Sequence, residues 1–184
     1  MGERDDPFVR VCVHGIAGAG KTTLAACLAD ARGCARLELD GLYHQAGWRP
    51  IEEATLRAEV GAFVAGDAWV VDGNYRAVRD LLWARATAIV VLDPPRRVVM
   101  ARVGRRTFAR LLTRRELWNG NREQWRDLLS RSPERNIVRW AWRGHALYHG
   151  PLADEARRSA PHARVVTVRS RADLEALVGA VTPR

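Results

Sequence analysis

Short apolar runs recur along the chain, separated by longer segments in which apolar residues return every three or four positions. The runs predict five strands, at 8–13, 35–39, 69–71, 88–92 and 163–168. The segments between them predict helices, because a repeat of about 3.6 residues places apolar side chains on one helix face. Continuous apolar strands that alternate with helices are typical of a parallel sheet covered on both faces. We therefore predict an α/β fold with three layers around a five-stranded parallel sheet.

Turn and capping signals set the bounds of the predicted helices. These helices run from Gly20 to Gly33, over 52–65, 77–85 and 171–181, and along an arginine-rich stretch after Pro95. From 107 to 143 the pattern is helical but mixed, with a turn signal at 119–121 and a break at 132–133. A chain of 184 residues, 47% of them hydrophobic, can bury one sizeable core. We expect a single domain over 1–184 with a lid-like helical insertion at about 107–143.

A glycine-rich segment follows the first predicted strand, with the spacing of a phosphate-binding P-loop. Its glycines let successive backbone N–H groups turn toward one anion, and the unpaired amides that open the next helix favour negative charge. The Thr22 hydroxyl has the position of a Mg²⁺ ligand. We predict that the triphosphate of ATP is held by Gly15, Ala17, Gly18, Ala19, Gly20, Lys21, Thr22 and Thr23.

Lys21 is the one lysine among 30 lysine and arginine residues. Arginine carries the positive charge everywhere else, so this position has a chemical reason to hold lysine. A compact ammonium on a flexible stem can follow a phosphoryl group between two oxygens, whereas a planar guanidinium is too wide for a loop of backbone amides. We interpret Lys21 as the catalytic charge that tracks the transferred phosphate.

Aspartates follow three of the predicted strands, and ligands of an open parallel sheet bind beyond the carboxyl ends of its strands. Asp40, Asp72 and Asp93 would therefore lie beside the P-loop. A hydroxyl nucleophile needs a base within hydrogen-bond reach, so Asp40 is a candidate base for a hydroxyl acceptor. The alternative is a carboxylate that caps the following turn. Asp93 precedes two prolines and is better explained as a turn residue.

The chain carries a formal net charge of +9, with a pI near 10.8. Arginines that neutralise phosphates give affinity for nucleic acid, but a nucleotide site or a compositional bias toward arginine explains the charge as well. Nucleic acid is the less favoured partner because the aromatic residues are not interleaved with the basic cluster.

The three cysteines have no metal or disulfide spacing, the first residues lack an apolar signal core, and no apolar run is long enough to span a membrane. We expect a cytoplasmic protein.

Three stretches of the chain resemble the adenylate-kinase-like branch of P-loop kinases, most closely its members of the topology modulation type. They are the P-loop, the segment 39–48, and the segment 69–76 with its continuation at 90–96 and 102–106. The resemblance implies that Asp72 holds water ligands of Mg²⁺ and that Arg76, four residues later, grips phosphate. It also implies that Arg102 and Arg106 are the pair of arginines at the base of the lid.

The chain departs from that resemblance at the acceptor site. The adenylate-kinase acceptor signature is absent, and Asp40, Tyr43, His44 and Trp48 stand in its place. AMP is therefore not implied as the acceptor. His44 is a candidate contact for the acceptor, the alternative being a hydrogen-bonded structural histidine.

Four arginines recur at every fourth residue, at 102, 106, 110 and 114. A helix row of this length spans roughly 18 Å, which is longer than a triphosphate. We expect two of the four near phosphate at once, with the outer ones on a lid that closes and excludes water. Arg110 is the candidate substrate contact among the outer pair, and a solvated basic face is the alternative.

These features predict an ATP-dependent, Mg²⁺-requiring kinase. It would transfer the γ-phosphate of ATP to a small acceptor, either a nucleotide or a hydroxylated metabolite. The alternative is a nucleotide-gated DNA-binding regulator, which the topology modulation resemblance suggests.

Overall fold

The computed structural model describes residues 6–133, 135–148 and 150–181. Residues 1–5, on which the expectation about a signal segment depends, lie outside this part of the chain. The strands within it are β1 (Arg10–Gly15), β2 (Ala35–Glu38), β3 (His44–Gln45), β4 (Arg49–Pro50), β5 (Trp69–Asp72), β6 (Ala88–Leu92) and β7 (Arg164–Val168).

Nine helical segments of α type accompany these strands in the described residues. They are α1 (Lys21–Arg32), α2 (Leu39–Tyr43), α3 (Glu53–Val64), α4 (Arg79–Arg85), α5 (Arg96–Thr113), α6 (Trp125–Leu128), α7 (Ile137–Tyr148), α8 (Pro151–Ser159) and α9 (Arg171–Val181). Short 3₁₀ turns cover 46–48, 76–78 and 118–120. None of the described helices is long and apolar enough to cross a membrane.

The main sheet has five parallel strands in the order β2-β5-β1-β6-β7, so the predicted strands and their parallel arrangement are confirmed. A separate antiparallel hairpin of β3 and β4, with two residues in each strand, lies outside this sheet. The register pairs Val13 with Asp72, Glu38 with Asp72, and Gly15 with Leu92. Strands β1, β2, β5 and β6 therefore end at one edge of the sheet.

Side chains of the central strand alternate between two hydrophobic clusters, one on each face of the sheet. Val11 and Val13 pack with residues of α1, α5, α7 and α9. Cys12 packs with residues of α3, α4 and α8. The fold is thus the predicted three-layer α/β/α arrangement.

Helix α5 continues through the predicted start of the insertion. Its residues Val99, Val103, Thr107 and Leu111 are buried at four-residue spacing, so this face stays on the body of the protein as far as Thr113. The helix ends at Arg114, whose φ is 48°. The boundary expected at 107 thus falls inside a helix, because packing and not local spacing decides where α5 ends.

Gly18 lies against the Val103 side chain and the backbone of α5, and it has a φ of +82°. A Cβ at this position would contact Val103 Cγ2 and lie 3.1 Å from the carbonyl oxygen of Val99. Gly18→Ala should therefore lower the free energy of unfolding by about 3 kcal/mol, from backbone strain and overpacking together. Gly61 in α3 has open space around it, so Gly61→Ala should raise the same quantity by about 0.5–1 kcal/mol. Urea unfolding checks both, and similar changes in the two variants would contradict this account.

Candidate active site

A cavity of about 1690 Å³ opens at the edge where the carboxyl ends of the strands meet. Most of the residues that the sequence singled out lie together around it. The lining includes Gly15, Ala17, Gly18, Gly20, Lys21, Thr22, Thr23, Asp40, His44, Arg102, Arg106 and Arg110. Ala19 is buried at 5% exposure and is not part of the cavity lining.

The P-loop has the backbone conformation that an anion nest requires. Gly18 and Gly20 have φ values of 82° and 105°, and the Ala19 N–H donates to the Ile16 carbonyl at 3.1 Å. No side chain caps the first turn of α1. The amide groups at the start of this helix are therefore left for a bound anion.

Lys21 lies half-buried between two carboxylates. Its Nζ is 3.4 Å from the Ile16 carbonyl oxygen. Burial lowers the pKa of Lys21, while Asp40 and Asp72 raise it. Lys21 and Asp40 both line the cavity, whereas Asp72 acts on Lys21 from the buried end of β5 and is not part of the cavity lining.

Asp72 ends β5 and is 2% exposed. Its Oδ1 is buried without a hydrogen-bond partner, although it forms an ion pair with Arg36 Nη1 at 3.8 Å. Burial raises the pKa of Asp72 to about 6, against the lowering effects of the Thr22 hydroxyl and Arg36. An orphaned carboxylate oxygen beside the Thr22 hydroxyl fits a Mg²⁺ site.

Glu38 is a site residue that the sequence did not reveal. It is the last residue of β2, lines the cavity, and accepts a hydrogen bond from Thr22 Oγ1 at 3.4 Å. Its pairing with Asp72 across two strands could not be read from local spacing.

No group of three or more histidine, cysteine, aspartate or glutamate side chains that could hold a metal occurs among residues 6–133, 135–148 and 150–181. Phosphate oxygens and water would therefore have to complete a Mg²⁺ shell around Thr22 and Asp72.

Asp40 lies in the short helix α2 and lines the cavity. The hydroxyl of Tyr75 donates to its Oδ1 at 2.6 Å. The Tyr75 ring packs on Tyr43 with centroids 4.4 Å apart. Tyr75 lines the cavity as well, and sequence reasoning missed it although it lies within the segment 69–76.

The arginine row divides into two pairs. Arg102 Nη1 donates to the carbonyl of Ala19 at 3.1 Å, and both Arg102 and Arg106 line the cavity beside the P-loop. Burial lowers the pKa of Arg106, and its Nε has no hydrogen-bond partner. Arg110 instead forms an ion pair with Glu123 at 3.0 Å, which the sequence did not reveal. Arg114 lies at the exposed end of α5.

Arg76 is the predicted substrate residue that the structure separates from the others. It is exposed, and the cavity is lined by Asn74 and Tyr75 but not by Arg76. The 3₁₀ turn at 76–78 reverses the chain directly after Tyr75. A phosphate contact from Arg76 is therefore not part of this arrangement.

Two asparagines from the turn after α5 hold the acceptor side of the cavity. Asn119 Nδ2 donates to the carbonyls of Gly41 and His44 at 3.1 and 2.7 Å. Asn121 donates to the Gln45 carbonyl at 2.9 Å, and its Oδ1 accepts from the backbone of Trp48 at 2.8 Å. The turn signal at 119–121 was recognised in the sequence, but these contacts across more than 70 residues were not.

His44 lies in an aromatic cluster at the same end of the cavity. Its ring stacks on Trp118 with centroids 5.8 Å apart and meets Trp48 edge-on at 5.3 Å. Burial lowers the pKa of His44, although Asp40 raises it. A neutral imidazole in this cluster can give or accept one hydrogen bond with a bound acceptor.

No family model and no curated protein sequence matches the chain. Among solved structures, a gluconokinase from Sinorhizobium meliloti 1021 is similar with a TM-score of 0.54 and 19% identity, over 95% of this chain and 90% of that one. Shikimate kinase from Acinetobacter baumannii, in complex with shikimate, is similar with a TM-score of 0.52 and 18% identity, over 94% of this chain and 89% of that one. Shikimate kinase from Bacteroides thetaiotaomicron is similar with a TM-score of 0.52 and 15% identity, over 93% of this chain and 94% of that one. The chain thus has the α/β fold of P-loop kinases, and the topology modulation resemblance stays a prediction.

The raised pKa of Asp72 predicts a pH-dependent effect on stability. Because the folded-state pKa is about 6 and the ordinary value is 3.8, the fold favours the protonated carboxyl, and this stabilisation is lost as the pH rises through 6. In metal-free buffer at about pH 8, Asp72→Asn should raise the free energy of unfolding by up to ~3 kcal/mol, and the gain should disappear near pH 4.

Urea unfolding at several pH values checks this expectation. The exposed Asp67 provides a matched control, and Asp67→Asn should change the free energy of unfolding by less than about 0.5 kcal/mol throughout. A gain for Asp72→Asn that is the same at every pH would contradict burial of a carboxylate as its cause.

Proposed function

We propose that this protein is an ATP-dependent, Mg²⁺-requiring phosphotransferase that acts on a small hydroxylated acceptor. The observation that carries the proposal is the arrangement of Lys21 in the P-loop cavity, with Asp72 on its sheet side and Asp40 on its acceptor side. Its fold is shared with kinases of small molecules, which supports the same class of reaction.

The donor side has the parts that phosphoryl transfer requires. This reaction depends on positioning and on stabilising charge around the γ-phosphate. The P-loop amides would hold the triphosphate of ATP, while Lys21, Arg102 and Arg106 supply positive charge around it. Arg106 is suited to this role because its half-buried guanidinium has a donor without a partner.

Thr22 and Asp72 are the residues that would hold Mg²⁺, Asp72 through water. When bound there, the ion neutralises charge on the β- and γ-phosphates. The rest of the donor site is built by the chain itself. Its amides and Lys21 orient the phosphates, and closure over the cavity excludes the water that would hydrolyse ATP.

Asp40 would act as the base for the acceptor. The acceptor hydroxyl gives its proton to Asp40 while its oxygen bonds to the γ-phosphorus, and the bond from that phosphorus to the β–γ bridging oxygen breaks to release ADP. Tyr75 occupies Oδ1 of Asp40 and so fixes the orientation of the carboxylate. His44 lines the same end of the cavity and would contact the acceptor. Arg110 would contribute only by exchanging its ion pair with Glu123 for the acceptor.

Lys21→Ala should abolish transfer of the γ-phosphate without unfolding the protein. The measurement follows ADP production over a panel of nucleoside monophosphates, nucleosides, sugars and amino alcohols, with the best acceptor then used for the variants. Lys21→Arg keeps the charge and should also be inactive, because a guanidinium does not fit the loop. Residual activity of Lys21→Ala within about tenfold of the parent would remove Lys21 from the transition state.

Asp40→Asn should stop transfer to an alcohol and spare transfer to a nucleoside monophosphate, whose phosphate is already largely anionic near neutral pH. Tyr75→Phe removes only the hydrogen bond to Asp40 and should lower kcat for the alcohol about tenfold. Equal losses of Asp40→Asn on both kinds of acceptor would refute its role as a base.

A DNA-binding regulator is the second candidate, and exposed tryptophans favour it. Trp125 and Trp142 are 48% and 55% exposed, and the guanidinium of Arg96 lies 4.8 Å from the ring centroid of Trp142. Such rings beside arginines can serve as stacking platforms for bases. Tight, salt-sensitive filter binding of duplex DNA without phosphate transfer to any small acceptor would favour this function.

A further inference from the structure

His14 lies in β1 directly before the P-loop and is 1% exposed. Its Nδ1 is 2.6 Å from the carbonyl oxygen of Gly73, and its Nε2 is 2.8 Å from Nε1 of Trp83. A carbonyl only accepts and an indole N–H only donates, so Nδ1 carries the proton and Nε2 the lone pair. Burial lowers the pKa of His14 to about 4, which keeps the imidazole neutral near pH 7.

The partner of His14 follows Asp72 at the end of β5. The Gly73 N–H donates to the carbonyl of Val13 at 3.2 Å, and the Gly73 carbonyl accepts from His14, so β1 fixes both polar groups of this residue. Gly73 has a φ of +139°, and a Cβ there would lie 2.6 Å from Cβ of Leu39. The position therefore requires glycine, whose backbone is intrinsically permissive, so the hydrogen bonds to β1 are what hold its conformation.

A second connection runs from His14 through Trp83. The Arg79 guanidinium lies 5.1 Å from the ring centroid of Trp83 and donates to Asn74 Oδ1 at 2.8 Å and to Glu155 at 2.7 Å. Asn74 lines the cavity. The Gly73 carbonyl and the Asn74 side chain are thus both held from the same buried network.

We propose that His14 is a positioning residue, whose imidazole fixes the Gly73 carbonyl and so holds the Asp72 carboxylate beside the Thr22 hydroxyl at the edge of the cavity. The inference rests on the proposed function, since the position of Asp72 matters for binding a nucleotide with Mg²⁺. The side chain must donate at one end and accept at the other within a dry interior. A neutral imidazole does both without a net charge.

Two substitutions at His14 separate its two hydrogen bonds. The amide of His14→Asn reaches the position of Nδ1, so it keeps the bond to Gly73 and loses the one to Trp83. The longer His14→Gln reaches the position of Nε2, so it keeps the bond to Trp83 and loses the one to Gly73. Trp83→Phe is the matched control, because it removes the donor to Nε2 and leaves the bond to Gly73.

The measurement is the affinity of each variant for the non-hydrolysable ATP analogue AMP-PNP, by calorimetry, with Mg²⁺ and with EDTA. In the parent, Mg²⁺ should tighten binding. In His14→Gln the ratio of the affinity with Mg²⁺ to the affinity with EDTA should be about tenfold smaller than in the parent. Its affinity in EDTA should stay within about twofold of the parent. His14→Asn and Trp83→Phe should keep the tightening although their free energies of unfolding fall. If His14→Gln does not fold, His14→Met, which lacks the donor, takes its place with the same expectation.

Full Mg²⁺ tightening in His14→Gln would overturn the inference and leave the proposed function standing. Equal losses in all the variants would overturn it too, because they would indicate a general structural role. A parent that does not bind AMP-PNP would overturn the proposed function itself, and the inference with it. A metal-free readout is the ¹⁵N NMR spectrum of the His14 ring, which should show a proton on Nδ1 and would contradict the inference if the proton were on Nε2.

Discussion

The parallel register of β1 with its neighbours is the constraint on which the rest of the site depends. It pairs Val13 with Asp72 and Gly15 with Leu92, so the P-loop leaves the sheet beside the carboxylate that ends β5. A slip of one residue would exchange the faces of the sheet on which Asp72 and the buried Val71 lie. The buried apolar side chains on both faces prevent that slip, because each face has its own helices to fill. Core packing thus determines the distance between the phosphate nest and the acid.

The same packing leaves two polar atoms at the candidate site without hydrogen-bond partners. Asp72 Oδ1 and Arg106 Nε are buried and make no hydrogen bond, and burial shifts the pKa of each group toward its neutral form. Such groups cost stability in the empty protein. In the proposed function, a triphosphate with its metal would offer opposite charge to both groups. This is preorganisation, because the charges are already oriented when the ligand arrives.

Sequence patterns predicted the parts of the fold that depend on neighbouring residues. The strands, the P-loop and the turn at 119–121 each have a local signal, and the structure has all of them. Glu38, Tyr75 and Glu123 were missed because their roles depend on partners distant in the chain, such as Asp40 for Tyr75. Arg76 was selected by a motif position, but the 3₁₀ turn that carries it outward depends on packing around Val78. A motif thus fixes which residue is present and leaves its direction to the tertiary structure.

Helix α5 connects the two sides of the site and sets their separation. Near its middle, Arg102 is bonded to the carbonyl of Ala19 in the P-loop. Farther along, Arg110 is paired with Glu123, just beyond the turn whose Asn119 and Asn121 hold the acceptor segment. Eight helical residues separate the two arginines, a rise of about 12 Å. The P-loop and the segment 41–48 are therefore held apart by a rigid helix, and residues 124, 126–128, 133 and 135 beyond Glu123 line the cavity as well.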